Sequence, residues 1–483
     1  MTDRQTRRRL RPSLRRFARC LAVPTATAAT LTLAGCMNLI PAYERPAAPV
    51  AASYPAEAAP AAGTTAAADI EWQRFFADPR LKRLIETALQ NNRDLRIAVL
   101  NIEQARAQYQ VRRADELPSV GVGATVQRTP GGNGNVVSSY AVGIAMSSYE
   151  LDLFGRVRSL SQAALAQYLG TTEARKAVQI SLISSLANAY LSLLADDELL
   201  RVTRQALTTR EESLRLTKLK FDYGAASELD FRQAESLLES ARATLAQSLR
   251  QRTLDENAIV LLIGQPIPAD LPAPLALNGA QVPNDLPAGL PSELLERRPD
   301  IRSAEQQLIA ANASIGAARA AFFPRISLTG NLGTASTELS GLFKSGSFAF
   351  TGTGQLLESI FDAGRNQANL DVAKVNREIA TAQYERSIQT AFREVSDALA
   401  GRATLGEQLR AQLAQANAEE VRYRLSDLRY RNGAASYLEV LDAQRSLFTA
   451  QQAVVQVQAA QVQNLVTLYR VLGGGWSEVA AVR

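Results

Sequence analysis

The sequence predicts a mainly α-helical chain with a small β part, built as two copies of one plan. Three observations predict it: a long internal repeat, two proline-free runs of 68 residues, and short alternating apolar stretches ahead of each run. Asp94-Leu95-Arg96-Ile97-Ala98 recurs as Asp300-Ile301-Arg302-Ser303-Ala304, and Pro118-Ser119-Val120 as Pro324-Arg325-Ile326, both 206 residues on. Gly155-Arg156 recurs as Gly364-Arg365, Gly224-Ala225-Ala226-Ser227 as Gly433-Ala434-Ala435-Ser436, and Gly264 as Gly473, all 209 residues on. The offset changes only between Pro118 and Gly155. Constant spacing elsewhere implies rigid elements of fixed length.

The chain opens with an export signal over residues 1–35. Arg7-Arg8-Arg9, Arg11, Arg15, Arg16 and Arg19 form a positive n-region, and Leu21 to Gly35 is uncharged and apolar. Those 15 residues, interrupted by Pro24, are too few for a membrane-spanning helix, which needs roughly 20. The stretch ends in Leu33-Ala34-Gly35-Cys36, which resembles a bacterial lipobox, so Cys36 is the expected attachment site of a diacylglycerol and an N-acyl chain. Residues 1–36 hold eight Arg and one Asp, and without them the formal charge of +6 becomes −1. The mature chain therefore has no bulk attraction to nucleic acid. Residues 36–70, with Pro41, Pro46, Pro49, Pro55 and Pro60, read as an extended lipidated tether with nothing to pack.

The first structural repeat spans 71–265. A helical region from about Asp78 to Glu116 leads into strands at about 118–130 and 138–152. Val120, Val122, Ala124 and Val126 share one face, opposite Gly121, Gly123, Thr125 and Gln127. Tyr140, Val142, Ile144 and Met146 repeat the alternation after a Gly-rich loop. Period-two apolarity over about ten residues marks a strand with one lipid-facing side. The run Arg156 to Tyr223 then turns at Gly224 and returns to Gly264 as a long helical hairpin. A Pro-rich linker occupies 266–291. The second repeat, 292–475, has a helical region from Leu294 to Ala321 and strands at about 324–334 and 346–358. Its long hairpin runs from Arg365, with the tip at Gly433, and residues 476–483 form a tail. Ala, Gln, Ser, Thr and Arg abound in these helices, which suits side-by-side packing in a thin wall.

Four strands cannot close a barrel, and an open edge in lipid leaves backbone groups unpaired. Two chains would give a barrel filled by its own side chains, and three leave a lumen, so a pore made from this chain is a homotrimer. The same helices without a pore would make a coiled-coil structural lipoprotein, against which the alternating strands argue.

The chain resembles TolC-like outer membrane factors, in particular the NodT-type lipoproteins of efflux pumps. The resemblance rests on Tyr149-Glu150-Leu151-Asp152-Leu153-Phe154-Gly155-Arg156, Arg297-Arg298-Pro299-Asp300-Ile301, the run from Ala311 to Pro324, Leu438-Glu439-Val440-Leu441-Asp442-Ala443-Gln444-Arg445, and Leu472-Gly473-Gly474-Gly475-Trp476. It implies a trimer with a twelve-stranded outer-membrane β-barrel and a periplasmic α-helical barrel. It further implies a lipid-anchored protein in the bacterial outer membrane, extending into the periplasm, with a periplasmic adaptor (membrane fusion) protein and an inner-membrane transporter of RND type as partners. Small-molecule efflux is the implied function, and type I protein secretion uses the same architecture. Ser359 stands where relatives carry proline before Ile360-Phe361.

No catalysis is expected. The sequence has no His, so His-based triads and general bases are excluded, and no metal or cofactor site is expected. Gly352 and Gly354 form a lone GxG inside a strand pattern, where a small side chain is the ordinary reason. Function is expected at the hairpin tips, where Gly224 and Gly433 supply the turns. Six residues after each glycine comes an acid, Asp230 and Glu439, and Asp442 follows three residues after Glu439 on the same helical face. Three chains would converge these acids into carboxylate rings, as in cation-selective constrictions. The resemblance matches Asp442 to a gate aspartate and Leu438 to an apolar gate ring. It matches Tyr430 and Asp230 to residues that link adjacent hairpins and hold the gate shut. Arg429 is the charge partner available to these acids. A gate-locking Arg of some relatives is Ala435 here. Asp196-Asp197-Glu198 and Glu211-Glu212 read as solvated faces.

Overall fold

Runs without proline and rich in Ala, Leu, Gln and Arg become helix, and the glycines that recur at the ends of those runs stop them. A computed structural model of the chain describes residues 37–54, 67–132, 134–277, 282–283, 286 and 291–476. The export signal, Cys36, part of the tether and linker, and residues 477–483 lie outside the described residues. Helices α1 (Trp72–Phe75), α2 (Pro79–Asn91) and α3 (Arg93–Ala114) precede strands β1 (Val120–Pro130) and β2 (Val136–Glu150). The long helices α4 (Arg156–Asp222) and α5 (Glu228–Ile263) complete the first copy. The second copy comprises α6 (Pro291–Arg297), α7 (Pro299–Ala320), β3 (Arg325–Ser336), β4 (Phe348–Leu357), α8 (Arg365–Arg431) and α9 (Tyr437–Val471). Helices α4 and α8 both have 67 residues, and α3 and α7 both have 22, so the repeat keeps these elements at equal length.

Two compact units result. The first comprises 37–44, 107–166 and 309–378, and holds one antiparallel sheet in the order β1-β2-β3-β4. Its register aligns the alternating residues into rows. Val122 pairs with Ile144, Ile144 with Leu332, and Leu332 with Phe350. This row is apolar across all four strands and open to the surroundings, with Val122 84% and Phe350 74% exposed. The adjacent row on the other face is Gly123, Gly143, Gly333 and Ala349. A Cβ on Gly143 would run into the Leu332 carbonyl, and one on Gly333 into the Val142 carbonyl, so the two copies meet where only glycine fits. That small-residue face bounds a shallow hollow of about 210 Å³. At the far end of β2, Glu150 binds both Arg156 and Arg325, at 2.7 and 2.6 Å. Asp152 sits beside Arg158 there.

The second unit comprises 45–106, 167–308 and 379–476 and holds the hairpin helices. Its core gathers Phe75 and Phe76, Leu84 and Ile85 of α2, Leu186 and Tyr190 of α4, Ile259 and Ile263 of α5, and Tyr469 of α9, all buried. Phe75 stacks on Tyr469 with ring centroids 3.9 Å apart. Helix α4 has an apolar stretch long enough to cross a membrane, but Leu182, Ile183, Leu186 and Leu191 are buried inside this unit. The Arg297-Arg298-Pro299-Asp300-Ile301 motif has a structural explanation. Buried Arg298 forks onto Asp300 at 2.6 and 3.0 Å, reaches Glu394 at 3.0 Å and donates to the Val471 carbonyl at 3.0 Å.

Several expectations need correction. The first helical region breaks at Asn92, whose extended backbone ends α2 and whose side chain accepts from the Leu95 amide. The corresponding region of the second copy breaks at Arg298, because the residue before a proline is driven out of the helical conformation. The tether is not loose over its described part. Asn312 donates to the Pro41 carbonyl, Arg45 forks onto Glu305, and buried Tyr54 stacks on Phe392 at 5.2 Å. Asp196 is not a solvated residue but is 8% exposed. Burial, a hydrogen bond that the protonated Asp196 carboxyl donates to Asp255, and the nearby charges of Asp255 and Asp197 push its carboxyl up to about 7.

Candidate gate at the hairpin tips

Both tips are built by the same backbone device. Gly224 and Gly433 adopt left-handed φ values of +69° and +73°. Beyond them the amides of Ala225 and Ala434 reach back to the carbonyls of Lys220 and Arg429, at 2.7 and 2.8 Å. This 6→1 closure satisfies carbonyls that the helix end leaves free, and it requires a residue without Cβ strain at the glycine. The repeated Gly-Ala-Ala-Ser is thereby explained.

The serine that ends each motif caps the returning helix, but the two caps differ. Ser227 and Asp230 form a reciprocal capping box: the Asp230 amide donates to Ser227 Oγ at 3.1 Å, and the Ser227 amide to Asp230 Oδ2 at 3.2 Å. The Asp230 carboxylate is thus engaged in ending its own turn. At the second tip Ser436 makes no such side-chain bond. Glu439, at the equivalent position, instead accepts from Arg429 at 3.1 Å. Arg429 also donates to the Ala434 carbonyl at 3.3 Å, tying the pair to the turn.

Below the turns the two hairpins of one chain are joined by a small core. Ala234 from α5, Tyr430 from α8, and Tyr437, Val440 and Leu441 from α9 are buried together, flanked by Leu214, Leu216, Leu237 and Tyr423. Tyr430 and Tyr437 lie 5.5 Å apart. Tyr437 and Ser213 share a hydrogen bond of 3.1 Å across the hairpins. Lys220 sits over the Tyr430 ring, with Nζ 3.7 Å from its centroid, and reaches the Tyr430 carbonyl at 3.5 Å. Tyr430 therefore links the hairpins of its own chain through its ring. Burial pushes its phenol above the ordinary range, partly offset by the neighbouring Thr217 hydroxyl. That hydroxyl is itself given to the Ser213 carbonyl at 2.8 Å.

The outer face of α9 carries the remaining candidates. Leu438 is 58% exposed, and Asp442 follows one turn later, also exposed, while Tyr437, Val440 and Leu441 face inward. Asp442 pairs with Arg422 of α8, a residue that sequence reasoning did not single out. Lys220 and Tyr437 were likewise missed. The repeat offset contained a signal for two of them, because Lys220 aligns with Arg429 and Ser213 with Arg422. Among the described residues no cluster of acidic, His or Cys side chains is arranged to hold a metal ion.

The chain matches the family model described as "Outer membrane efflux protein" twice, over residues 84–265 and 290–474, one match for each copy of the repeat. It is 47% identical over 458 residues to the probable efflux pump outer membrane protein TtgC of Pseudomonas putida, covering 92% of this chain and 94% of that protein. It is 47% identical over 456 residues to the outer membrane protein OprJ of Pseudomonas aeruginosa, covering 93% and 95%. The fold superposes on the open state of the Neisseria gonorrhoeae MtrE outer membrane channel with a TM-score of 0.84 and 44% identity. That superposition covers 91% of this chain and 99% of that one.

Proposed function

Because the chain belongs to the outer membrane efflux protein family, whose model matches both of its halves, we propose that three copies assemble into the passive exit duct of a tripartite pump. It is an outer-membrane channel component for efflux and extends into the periplasm. One observation carries the trimer. The sheet has four strands and two unpaired edges, β1 and β4, beneath an apolar row exposed across its whole width. In hydrocarbon each unsatisfied backbone group costs several kcal/mol, so the edges must pair. Strand direction alternates across the sheet, so β4 of one copy meets β1 of the next antiparallel, and three copies close twelve strands around a lumen. The small-residue face then lines the lumen and the Val122–Phe350 row faces lipid. The charged group of Glu150, Arg156, Arg325, Asp152 and Arg158 suits the membrane boundary, where ion pairs can stay hydrated.

The same boundary suits the lipid. Met37, the residue after Cys36, donates its amide to the Leu153 carbonyl at 3.3 Å, just beyond the end of β2. Acyl chains on Cys36 would enter the membrane beside the barrel rim. The hairpin tips form the gate. Leu438 gives an apolar ring, Asp442 and Glu439 charged rings, and the Tyr430 core holds the hairpins together until a periplasmic adaptor and an RND-type transporter draw them apart. Small molecules pass without covalent chemistry, so the chain needs neither catalytic residues nor a cofactor. The test is native mass measurement in detergent combined with bilayer recording. A trimer with discrete conductance steps is expected, and a stable monomer of full β content would overturn the reading.

A further inference from the structure

We propose that Arg422 sets the ion selectivity of the tip by holding and neutralising Asp442 within its own hairpin. This rests on the reading of Asp442 as a gate residue. The geometry is specific. The Arg422 guanidinium meets Glu419 of its own helix at 3.1 Å and Ser446, one turn beyond Asp442, at 3.5 Å through Nη1, and Asp442 of α9 through Nη2. A planar guanidinium presents several donors at once, so it can address both carboxylates and the hydroxyl together, which a point-charge ammonium does less well. Both carboxylates keep the guanidinium firmly charged, and Asp442 contributes most to this.

The pairing changes what a passing ion meets. A bare carboxylate ring acts as a monopole felt over a Debye length of about 8 Å. A carboxylate with a guanidinium against it acts as a dipole, whose field falls much faster, and the charge left over from sharing Arg422 with Glu419 is matched by the exposed Arg445. The second acid of the tip, Glu439, is paired in the same way with Arg429, and Arg445 lies exposed one turn beyond Asp442. The tip therefore carries acids at each gate position but little net negative charge. The first hairpin supplies the contrast. Its residues at the equivalent positions to Arg422 and Asp442 are Ser213 and Gln233, both neutral, and Ser213 is used to bind Tyr437. Arg422 is thus not a requirement of the hairpin fold, which forms in the first copy without it. It belongs to the charge pattern of α8 and α9.

The experiment is the reversal potential of the full-length lipidated protein in planar bilayers under a potassium chloride gradient. Wild type should be only weakly cation-selective. Arg422→Gln should raise the cation-to-anion permeability ratio by about two- to fivefold, taking the weak interaction energy of an exposed charge pair as the scale of the change an ion feels. Arg422→Lys, which keeps the charge but not the fork, should fall between. Asp442→Asn breaks the same pair from the other side and should move the ratio toward anions. The double variant Arg422→Gln, Asp442→Asn should return near wild type. If Arg422→Gln leaves the ratio unchanged while Asp442→Asn lowers it, the gate stands and Arg422 is not its counter-charge. If Asp442→Asn also has no effect, the gate reading itself fails.

Discussion

On the proposed gate reading the core beneath the tips holds the closed state, and Tyr430 is the residue to perturb. Its side chain is 8% exposed and packs on Tyr437, Ala234, Val440 and Leu441, with Lys220 over its ring. Tyr430→Ala removes a buried aromatic from a small cluster that joins the two hairpins. Large aromatic-to-Ala changes of this kind cost about 3–5 kcal/mol, within which the lost cation–π contact accounts for roughly 0.5–1 kcal/mol. Tyr430→Phe keeps the ring and its contacts. The hydroxyl that it removes lies beside a Thr217 hydroxyl already engaged elsewhere, so the change should be nearly neutral. If opening separates the hairpins, about 3 kcal/mol lost from the closed state favours opening about a hundredfold. Single-channel recording without any adaptor measures this as open probability, with thermal stability of the trimer measured alongside. Tyr430→Ala should open often and Tyr430→Phe should resemble wild type. Equal opening by both variants would put the link in the hydroxyl and refute the packing argument. A destabilised Tyr430→Ala trimer that stays closed would make the cluster structural only.

Two further outcomes follow from other parts of the chain. Cys36→Ala should abolish acyl labelling and processing of the export signal, measured by incorporation of labelled palmitate, and continued labelling would remove the lipid assignment. Asp196, pushed up to about 7 by burial and by Asp255 and Asp197, binds a proton in the folded state that the unfolded chain releases above its ordinary carboxylate range. Arg252, which pairs with Asp197 at 2.6 Å and Glu256 at 2.9 Å, only partly opposes the shift. Stability should therefore rise as pH falls from about 8 toward 5. Asp196→Asn, which cannot ionise, should lack that part of the pH dependence in thermal melting.

The sequence alone determined the architecture, because its governing signals are local. Two proline-free runs of equal length, the glycines that end them and strict alternation across short segments need no partner to be read. The register of the repeat also told where the two copies would match. What only the tertiary structure decided is which side chains meet. Asp230 and Glu439 occupy equivalent positions after equivalent glycines, yet one caps its own helix and the other binds Arg429. Arg422 and Asp442 are 20 residues apart on opposite legs of a hairpin, and Lys220 and Tyr430 are 210 apart on different hairpins. Such pairings depend on how helices are rotated and staggered against each other, which helical periodicity within one segment does not encode. The burial of Asp196 and the break at Asn92 have the same origin. The break leaves the Asn92 side chain donating to the Leu262 carbonyl of α5, 170 residues away, and that contact exists only once the helices have packed.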